Sequence, residues 1–394
     1  MRPNGRRLGS GTLLAAAVAA DKSPLILSLN HLVPIILLLA GSVACAHRPS
    51  AAIVTSPACR DVVSLEHVPT PSIVWIGPAD ARQQARLSEW CAMVGPVVYE
   101  PAPRHTPAGP IDRVAIVSWN AHVGGGDVDA LIDAVQRGDF TRGERVDAIV
   151  LLLQEMYRHG DGVPERATNL SAVPSRIVEA FHSEHARDVR DVASRRGLSL
   201  LYTPSMRNGA AVDDPEDRGN AILSTLPLSE PAAVELPIER QRRVVAVAAI
   251  DGRTSDGTTW RLRVANVHLD TALSLLHGGP VEARSRQANA LVTALTQSLT
   301  FEGTTVVGGD FNTWFGDREP AIRTLRAAFP DTSASHAGAT WSGALGLRAR
   351  LDYVFAGEAE AIDVRRLPSR FGSDHYPLLS VIRLGGPGAA SRAP

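Results

Sequence analysis

The sequence predicts an α+β fold in which two mixed β-sheets pack against each other with helices outside. Three observations predict it. Short apolar runs recur from Ile111 onward, at Val114–Trp119, Ala148–Leu153, Val244–Ile250, Leu262–Val267, Thr304–Val307, Leu351–Phe355 and Leu378–Ile382. They are too continuous for half-exposed strands and too short for helices, so they read as strands covered on both faces. Helical periodicity falls between them at Val128–Arg137, Ser175–Arg196, Val281–Leu299 and Glu319–Phe329, and Pro280 and Pro320 stand near two of the starts, where a missing N–H is harmless. Finally, Val244–Ile250 and Leu262–Val267 flank an Asp251-Gly252 turn and read as a hairpin, so the sheets mix antiparallel and helix-linked neighbours.

With 394 residues, 44% hydrophobic and 21% charged, the chain can bury one large core or two modest ones. Residues 1–46 stand apart as an export signal or a membrane or lipid anchor. Arg2, Arg6 and Arg7 precede a run from Ser23 to Ala46 without Asp, Glu, Lys or Arg, whose apolar heart is Leu32–Leu39. Three readings stay open: cleavage after the small residues Ala44 and Ala46, lipidation of Cys45 in an imperfect lipobox with Ser42 where Leu is usual, and an uncut span weakened by Asn30, His31 and Pro34. Only Cys45, Cys59 and Cys91 occur, so Cys59 and Cys91 are candidates to pair in an oxidising compartment, against the alternative of separate buried thiols. Residues 47–110 read as a Pro-rich extension with one helix at Ala81–Val94 and a linker at Pro101–Pro110, residues 111–384 as the main domain, and residues 385–394 as a disordered tail. Without residues 1–45 the formal charge moves from −1 to −4, which speaks against a dedicated nonspecific nucleic-acid binder. The chain is expected to act as a monomer.

Polar residues stand where the apolar runs end. Asn120 closes the first, Gln154 and Glu155 the second, His268 and Asp270 follow Leu262–Val267, and Asp310 and Asn312 follow Thr304–Val307. A rigid strand positions such a residue while leaving it open to a cleft. Singly, an Asn or Asp after a strand is more often a turn former. Their joint occurrence is the stronger observation.

In order, Ser118-Trp119-Asn120, Leu153-Gln154-Glu155, Gly219-Asn220-Ala221-Ile222-Leu223-Ser224, Asn266-Val267-His268, Gly309-Asp310-Phe311-Asn312, Leu351-Asp352-Tyr353 and Ser373-Asp374-His375 resemble the motif series of the endonuclease/exonuclease/phosphatase superfamily. The resemblance covers about residues 111–384. It implies a four-layer α/β/β/α sandwich, the pancreatic deoxyribonuclease-like fold, and metal-dependent hydrolysis of phosphoesters. By the same resemblance Glu155 is the principal ligand of a Mg²⁺, replaceable by Mn²⁺ or Ca²⁺, with Asn120 and Asp374 close to the ion. Asp310 would prepare the attacking water, Asn312 would donate to the phosphoryl group, and His375 would bind a phosphoryl oxygen with Asp352 fixing its tautomer. His268 is the implied general acid.

Where some relatives place an Asp two residues after the first-motif Asn, this chain has His122, before the triplet Gly124-Gly125-Gly126. His122, Arg218 and Asn220 are candidate substrate contacts, and Arg242, Arg243, Arg284 and Arg286 are weaker ones. The polar stretch Arg207–Gly219 reads as a mobile rim loop. Nucleic acid, phospholipid or a small phosphoester all remain as substrates, an extracellular nuclease is one version of the activity, and a catalytically silent binding module on the same fold is its competitor. Membrane attachment would run through the N-terminus.

Overall fold

Alternate residues of a strand point to opposite faces, and here each face of the long apolar strands meets a different layer. The computed structural model describes residues 53–55, 59, 61–65, 73–107, 109–141, 146–160, 162–165, 187–208, 215–271, 279–330, 338–343, 346–356 and 360–385. The leader at 1–46, the first part of the helix expected over Ser175–Arg196, and all but the first residue of the tail at 385–394 lie outside them.

The chain runs through β1 (Ile53–Thr55), β2 (Val62–Val63), β3 (Val74–Pro78), α1 (Ala81–Cys91) and β4 (Val97–Glu100). It continues with β5 (Arg113–Asn120), α2 (Val128–Gln136), β6 (Ala148–His159), α3 (Val189–Arg196), β7 (Ser199–Arg207) and β8 (Glu216–Ser224). Then come β9 (Ser229–Glu235), β10 (Val244–Arg253), β11 (Thr259–His268), α4 (Gly279–Thr293), β12 (Thr304–Asp310) and α5 (Pro320–Ala328). The last strands are β13 (Trp341–Ser342), β14 (Arg348–Ala349), β15 (Asp352–Phe355), β16 (Glu360–Arg366) and β17 (Leu378–Arg383).

Two mixed sheets result. A seven-stranded sheet has the order β1-β3-β9-β10-β11-β12-β15, and an eight-stranded sheet has the order β16-β17-β5-β6-β8-β7-β4-β2. Val114 and Ile116 of β5, Val150 and Leu152 of β6, Ile222 of β8, Ala246 and Ala248 of β10 and Val264 of β11 fill one apolar layer between the sheets. Their neighbours Ala115, Val117 and Trp119 turn the other way and pack with Leu131 and Val135 of α2 and Val192 of α3. On the far sheet Val245, Val247 and Val307 meet Leu291 of α4 and Ile322 and Leu325 of α5. This is the expected α/β/β/α sandwich, and double-sided burial explains why the strands read as unbroken apolar runs.

Three expectations change. The described part of 47–110 is no detached lead-in: β1 and β3 extend one sheet, β2 and β4 the other, and Cys59 and Cys91 form a disulfide. Those strands sit at or near sheet edges, where Pro-rich sequence is tolerated. The hairpin between β10 and β11 turns at Thr254–Thr258, whose backbone closes with Thr254 N–H donating to Thr258 O, while Asp251 and Gly252 still belong to the strand. Both ends of the supposed rim loop Arg207–Gly219 are strand: Arg207 ends β7 and Glu216–Gly219 begin β8, all buried, while residues 209–214 lie outside the described residues.

Candidate active site

Strand register brings the site together. β11 and β12 run parallel with His268 opposite Asp310, and β15 lies antiparallel to β12 with Asp352 opposite Asp310. On the other sheet β5 and β6 run parallel with Asn120 opposite Gln154, and β17 pairs with β5 just after Ser373-Asp374-His375. The carboxyl ends of the two parallel pairs therefore face one another across the sandwich.

Asp310 is the centre. Its Oδ1 accepts from the Asn312 backbone N–H at 2.9 Å and its Oδ2 from Asn120 Nδ2 at 3.0 Å. His268 Nε2 and His375 Nε2 lie 3.6 and 3.8 Å from the same Oδ2. Burial pushes the Asp310 carboxyl up to about 7, with His375 opposing and Asp352 reinforcing the shift. Asn312 itself adopts a positive φ of 51° and gives Nδ2 to Leu269 O at 3.0 Å, so a single N–H of that amide is left for a ligand.

His375 is held on both sides. Its Nδ1 lies 2.9 Å from Asp352 Oδ2, and its backbone N–H donates to Ser373 Oγ, which in turn donates to Asn120 O at 2.7 Å. Burial works against the imidazolium, yet Asp352, Asp310 and Asp374 together raise His375 to about 10, so it is a cation at neutral pH. Thr340 Oγ1 accepts from the Asp352 backbone N–H at 3.0 Å, and Trp341 Nε1 donates to Asp374 Oδ2 at 2.8 Å. Sequence reasoning passed over Ser373 as a hydroxyl bridge, Thr340 and Trp341. Thr340 precedes and Trp341 begins a two-residue strand, too short for any period to show.

His268 departs from its expected role. Burial first, then Arg243, His375 and Arg218, hold its pKa well below the usual histidine range. Arg243 Nη1 lies 3.1 Å from His268 Nδ1. A guanidinium only donates, so Nδ1 must accept and the single ring proton sits on Nε2, facing Asp310. His268 is thus a neutral donor, a poor match for the imidazolium acid that the motif implied.

Two donor sets bear on a cation. Asp310, Asp352 and His375 place one ligand atom each within 4.8 Å of one another. His375 is protonated and already bound to Asp352, so that trio suits hydrogen bonding better than ligation. Glu155, Asn120 and Asp374 offer a second set of donors, all of them hard oxygens of the kind a divalent cation prefers. Glu155 stands at the register shift of β6 between Leu153 and Met156 with φ 54°, and no described residue hydrogen-bonds its carboxylate. His268 Nε2 lies 3.9 Å from its Oε1. Non-glycine residues at positive φ concentrate where function demands an odd geometry. Asp374 is partly exposed and contacts His122 Nδ1 at 3.3 Å, so His122, also at positive φ, belongs to the site. The glycines after it serve packing: a Cβ on Gly124 would stand 2.1 Å from the Tyr157 ring and one on Gly126 2.3 Å from Trp119. Asp127 caps α2 by accepting from Ala130 N–H.

Other candidates are drawn elsewhere. Asn220 gives Nδ2 to Val244 O and Asn266 O, which ties β8 to the opposite sheet rather than to a substrate. Gln154 Nε2 donates to Asn266 Oδ1 at 2.7 Å, and Asn266 Nδ2 donates to Leu153 O and Ala221 O. These three buried amides form a clasp between the sheets directly beneath the site. Asp270 accepts from the backbone N–H groups of Arg240 and Gln241. Arg242, Arg284 and Arg286 pair with Glu235, Glu319 and Glu239. Arg218 is buried and lies in the field of Glu155 and Arg243.

Carboxylates, amides and histidines converging at the carboxyl ends of both sheets of an α/β/β/α sandwich define a deoxyribonuclease-like phosphoester-hydrolase architecture. The chain belongs to the endonuclease/exonuclease/phosphatase family, whose model matches residues 117–375. Its members are hydrolases acting on phosphoester bonds, among them phosphodiesterases, nucleases and phosphatases, and are typically dependent on a divalent metal. Among solved structures the chain is similar to an endonuclease/exonuclease/phosphatase from Beutenbergia cavernae DSM 12333, at 20% identity and TM-score 0.47 over 70% of this chain and 72% of that one. It is also similar to a family protein from Leptotrichia buccalis C-1013-b, at 14% identity and TM-score 0.46 over 69% and 100%, respectively. The human Nocturnin catalytic domain with bound sulfate anion gives 15% identity and TM-score 0.41 over 71% and 99%. A comparison with curated proteins gave no match.

Proposed function

We propose that this chain is an exported, divalent-cation-dependent phosphodiesterase. The observation that carries the reading is Asp310, buried and fixed by Asn120 and Asn312, with a neutral imidazole on one side and an imidazolium on the other. In the unprotonated state Asp310 takes a proton from the attacking water, and a carboxyl raised to about 7 has the basicity for it. His375, oriented through Nδ1 by Asp352, points Nε2–H at the phosphoryl oxygens, and its positive charge matches the charge that builds there. His268 offers a second N–H from Nε2, aligned by Arg243. Glu155, with Asn120 and Asp374, would hold the cation, which when bound neutralises charge on the phosphoryl and leaving oxygens.

Export is supported by the charge-free apolar run before Cys45 and by the Cys59–Cys91 disulfide, a bond of oxidising compartments. A panel of plasmid DNA, RNA, sphingomyelin, inositol phosphates and bis(p-nitrophenyl) phosphate, each with Mg²⁺, Mn²⁺ and Ca²⁺, tests the activity. At least one diester is turned over with a metal and none after chelation. Metal-independent turnover, or none under any condition, would sink the proposal.

A further inference from the structure

Three of the most deeply buried arginines among the described residues come with a carboxylate. Arg158 is fastened to Asp217, Arg242 to Glu235 and Arg284 to Glu319, each partner nearly inaccessible. Arg218 breaks that habit. It is 6% exposed, its Nη2 rests 3.3 Å from the Met206 thioether, a weak acceptor, and its Nη1 meets no hydrogen-bond partner among the described residues. Arg243, 4% exposed, is the second such group: Nη1 lies against His268 and Nη2 donates to Gln241 Oε1, while Nε meets no partner among the described residues. Two guanidinium groups without a carboxylate therefore share one corner of the site.

The strands around Arg218 are shaped to put it there. β6 carries one extra residue against β8 between Leu153 and Met156, and β7 carries one between Pro204 and Met206. Both bulges fall at the level of Gly219, leaving Arg218 opposite Tyr157 on one side and Met206 on the other. Bulges of this kind re-aim side chains beside active sites. Gly219 itself admits no side chain, since a Cβ would stand 2.1 Å from Thr203 O. A buried, unpaired guanidinium is costly and calls for an anion.

We infer that Arg218, with Arg243 beside it, forms an anion subsite that takes a phosphate group of the substrate other than the one attacked. The direction follows from His268: its Nε2 faces Asp310, and Arg243 stands on the opposite, Nδ1 edge of the ring. The favoured substrate class is a phosphodiester carrying a second phosphate, whether that phosphate belongs to a nucleotide or to a phosphorylated headgroup. This deepens the proposed hydrolase reading and rests on it.

The first test needs no turnover. In chelator, inorganic phosphate and pyrophosphate raise the thermal midpoint of the native protein; Arg218→Met loses most of that rise, whereas His375→Gln keeps it. In phosphate-free buffer Arg218→Met melts a few degrees higher than the native protein, because an apolar side chain of similar length relieves the unpaired charge. A lower midpoint with an unchanged phosphate response, or failure of both Arg218→Met and Arg218→Gln to fold, overturns the inference. The second test compares kcat/KM for thymidine 5′-(p-nitrophenyl phosphate) with and without a 3′-phosphate, and for glycerophosphoinositol with and without a 4-phosphate. The phosphorylated member of one pair is preferred by about tenfold or more, the equivalent of one well-made contact, and the pair that shows the preference names the source of the phosphate. Arg218→Met abolishes the preference. Equal rates within both pairs, or a preference that survives the substitution, overturn it. Absence of all turnover would count against the hydrolase reading, and the phosphate-binding measurement would still decide the subsite.

Discussion

Asp310 and His375 take their charge states from what surrounds them, and each makes a prediction at its own scale. If Asp310 prepares the water and His375 stabilises the phosphoryl charge, both act mainly in the transition state. Asp310→Ala and His375→Ala then each lower kcat by about 10²–10⁴-fold with little change in KM, and the double variant is little worse than the weaker single. Near-normal kcat in either folded single variant would contradict the assignment. Asp352→Asn keeps the shape and removes the charge. His375 then titrates below its native value of about 10, because burial is left less opposed, and NMR of the imidazole reads this directly. A raised folded-state pKa stabilises the protein fully below about 6.5, the ordinary histidine value, and this contribution is lost as pH climbs through about 10. The native protein therefore loses more thermal stability over that interval than Asp352→Asn does. The Asp352–His375 pair was legible in sequence through the motifs. The neutrality of His268 was not, since it depends on Arg243, which meets it only across a strand pair of the folded sheet.

At the scale of elements, the register shift in β6 turns Glu155 toward the cleft while its neighbours stay in the sheet. Glu155→Gln keeps that backbone and removes a ligand charge, so Mg²⁺ and Mn²⁺ affinity measured by calorimetry falls by at least about tenfold, a loss of one metal-ligand interaction's order, with the thermal midpoint of the metal-free protein nearly unchanged. Equal affinity would move the cation to Asp310 and Asp352. The seven long apolar strands were legible because both of their faces are buried. β8 was hidden for the opposite reason: its two carboxylates are buried with partners, Asp217 with Arg158 and Tyr202, and Glu216 with Asn208, so acidity there signals pairing rather than exposure. β1 to β4 were hidden by shortness, and by partners as distant in sequence as β7 and β9.

For the whole molecule, the site exists only because two sheets hold a fixed spacing: His268, Asp310 and Asp352 come from one, Asn120, Glu155 and the segment before β17 from the other. Apolar side chains alone resist separation better than sliding. The clasp of Gln154, Asn220 and Asn266 supplies direction, because each amide must meet a particular acceptor. Asn266→Ala strands Gln154 and two carbonyls, and is expected to destabilise the protein by about 2–4 kcal/mol, the scale of several unmade buried hydrogen bonds; denaturant unfolding checks this, and a loss under about 0.5 kcal/mol, the surface-substitution range, would assign the spacing to packing alone. With its two halves locked at that depth, the catalytic floor behaves as a fixed tool whose jaws are interchangeable. Grafting rim segments from a relative of different appetite onto this chain should therefore transplant selectivity while leaving the chemistry where it is.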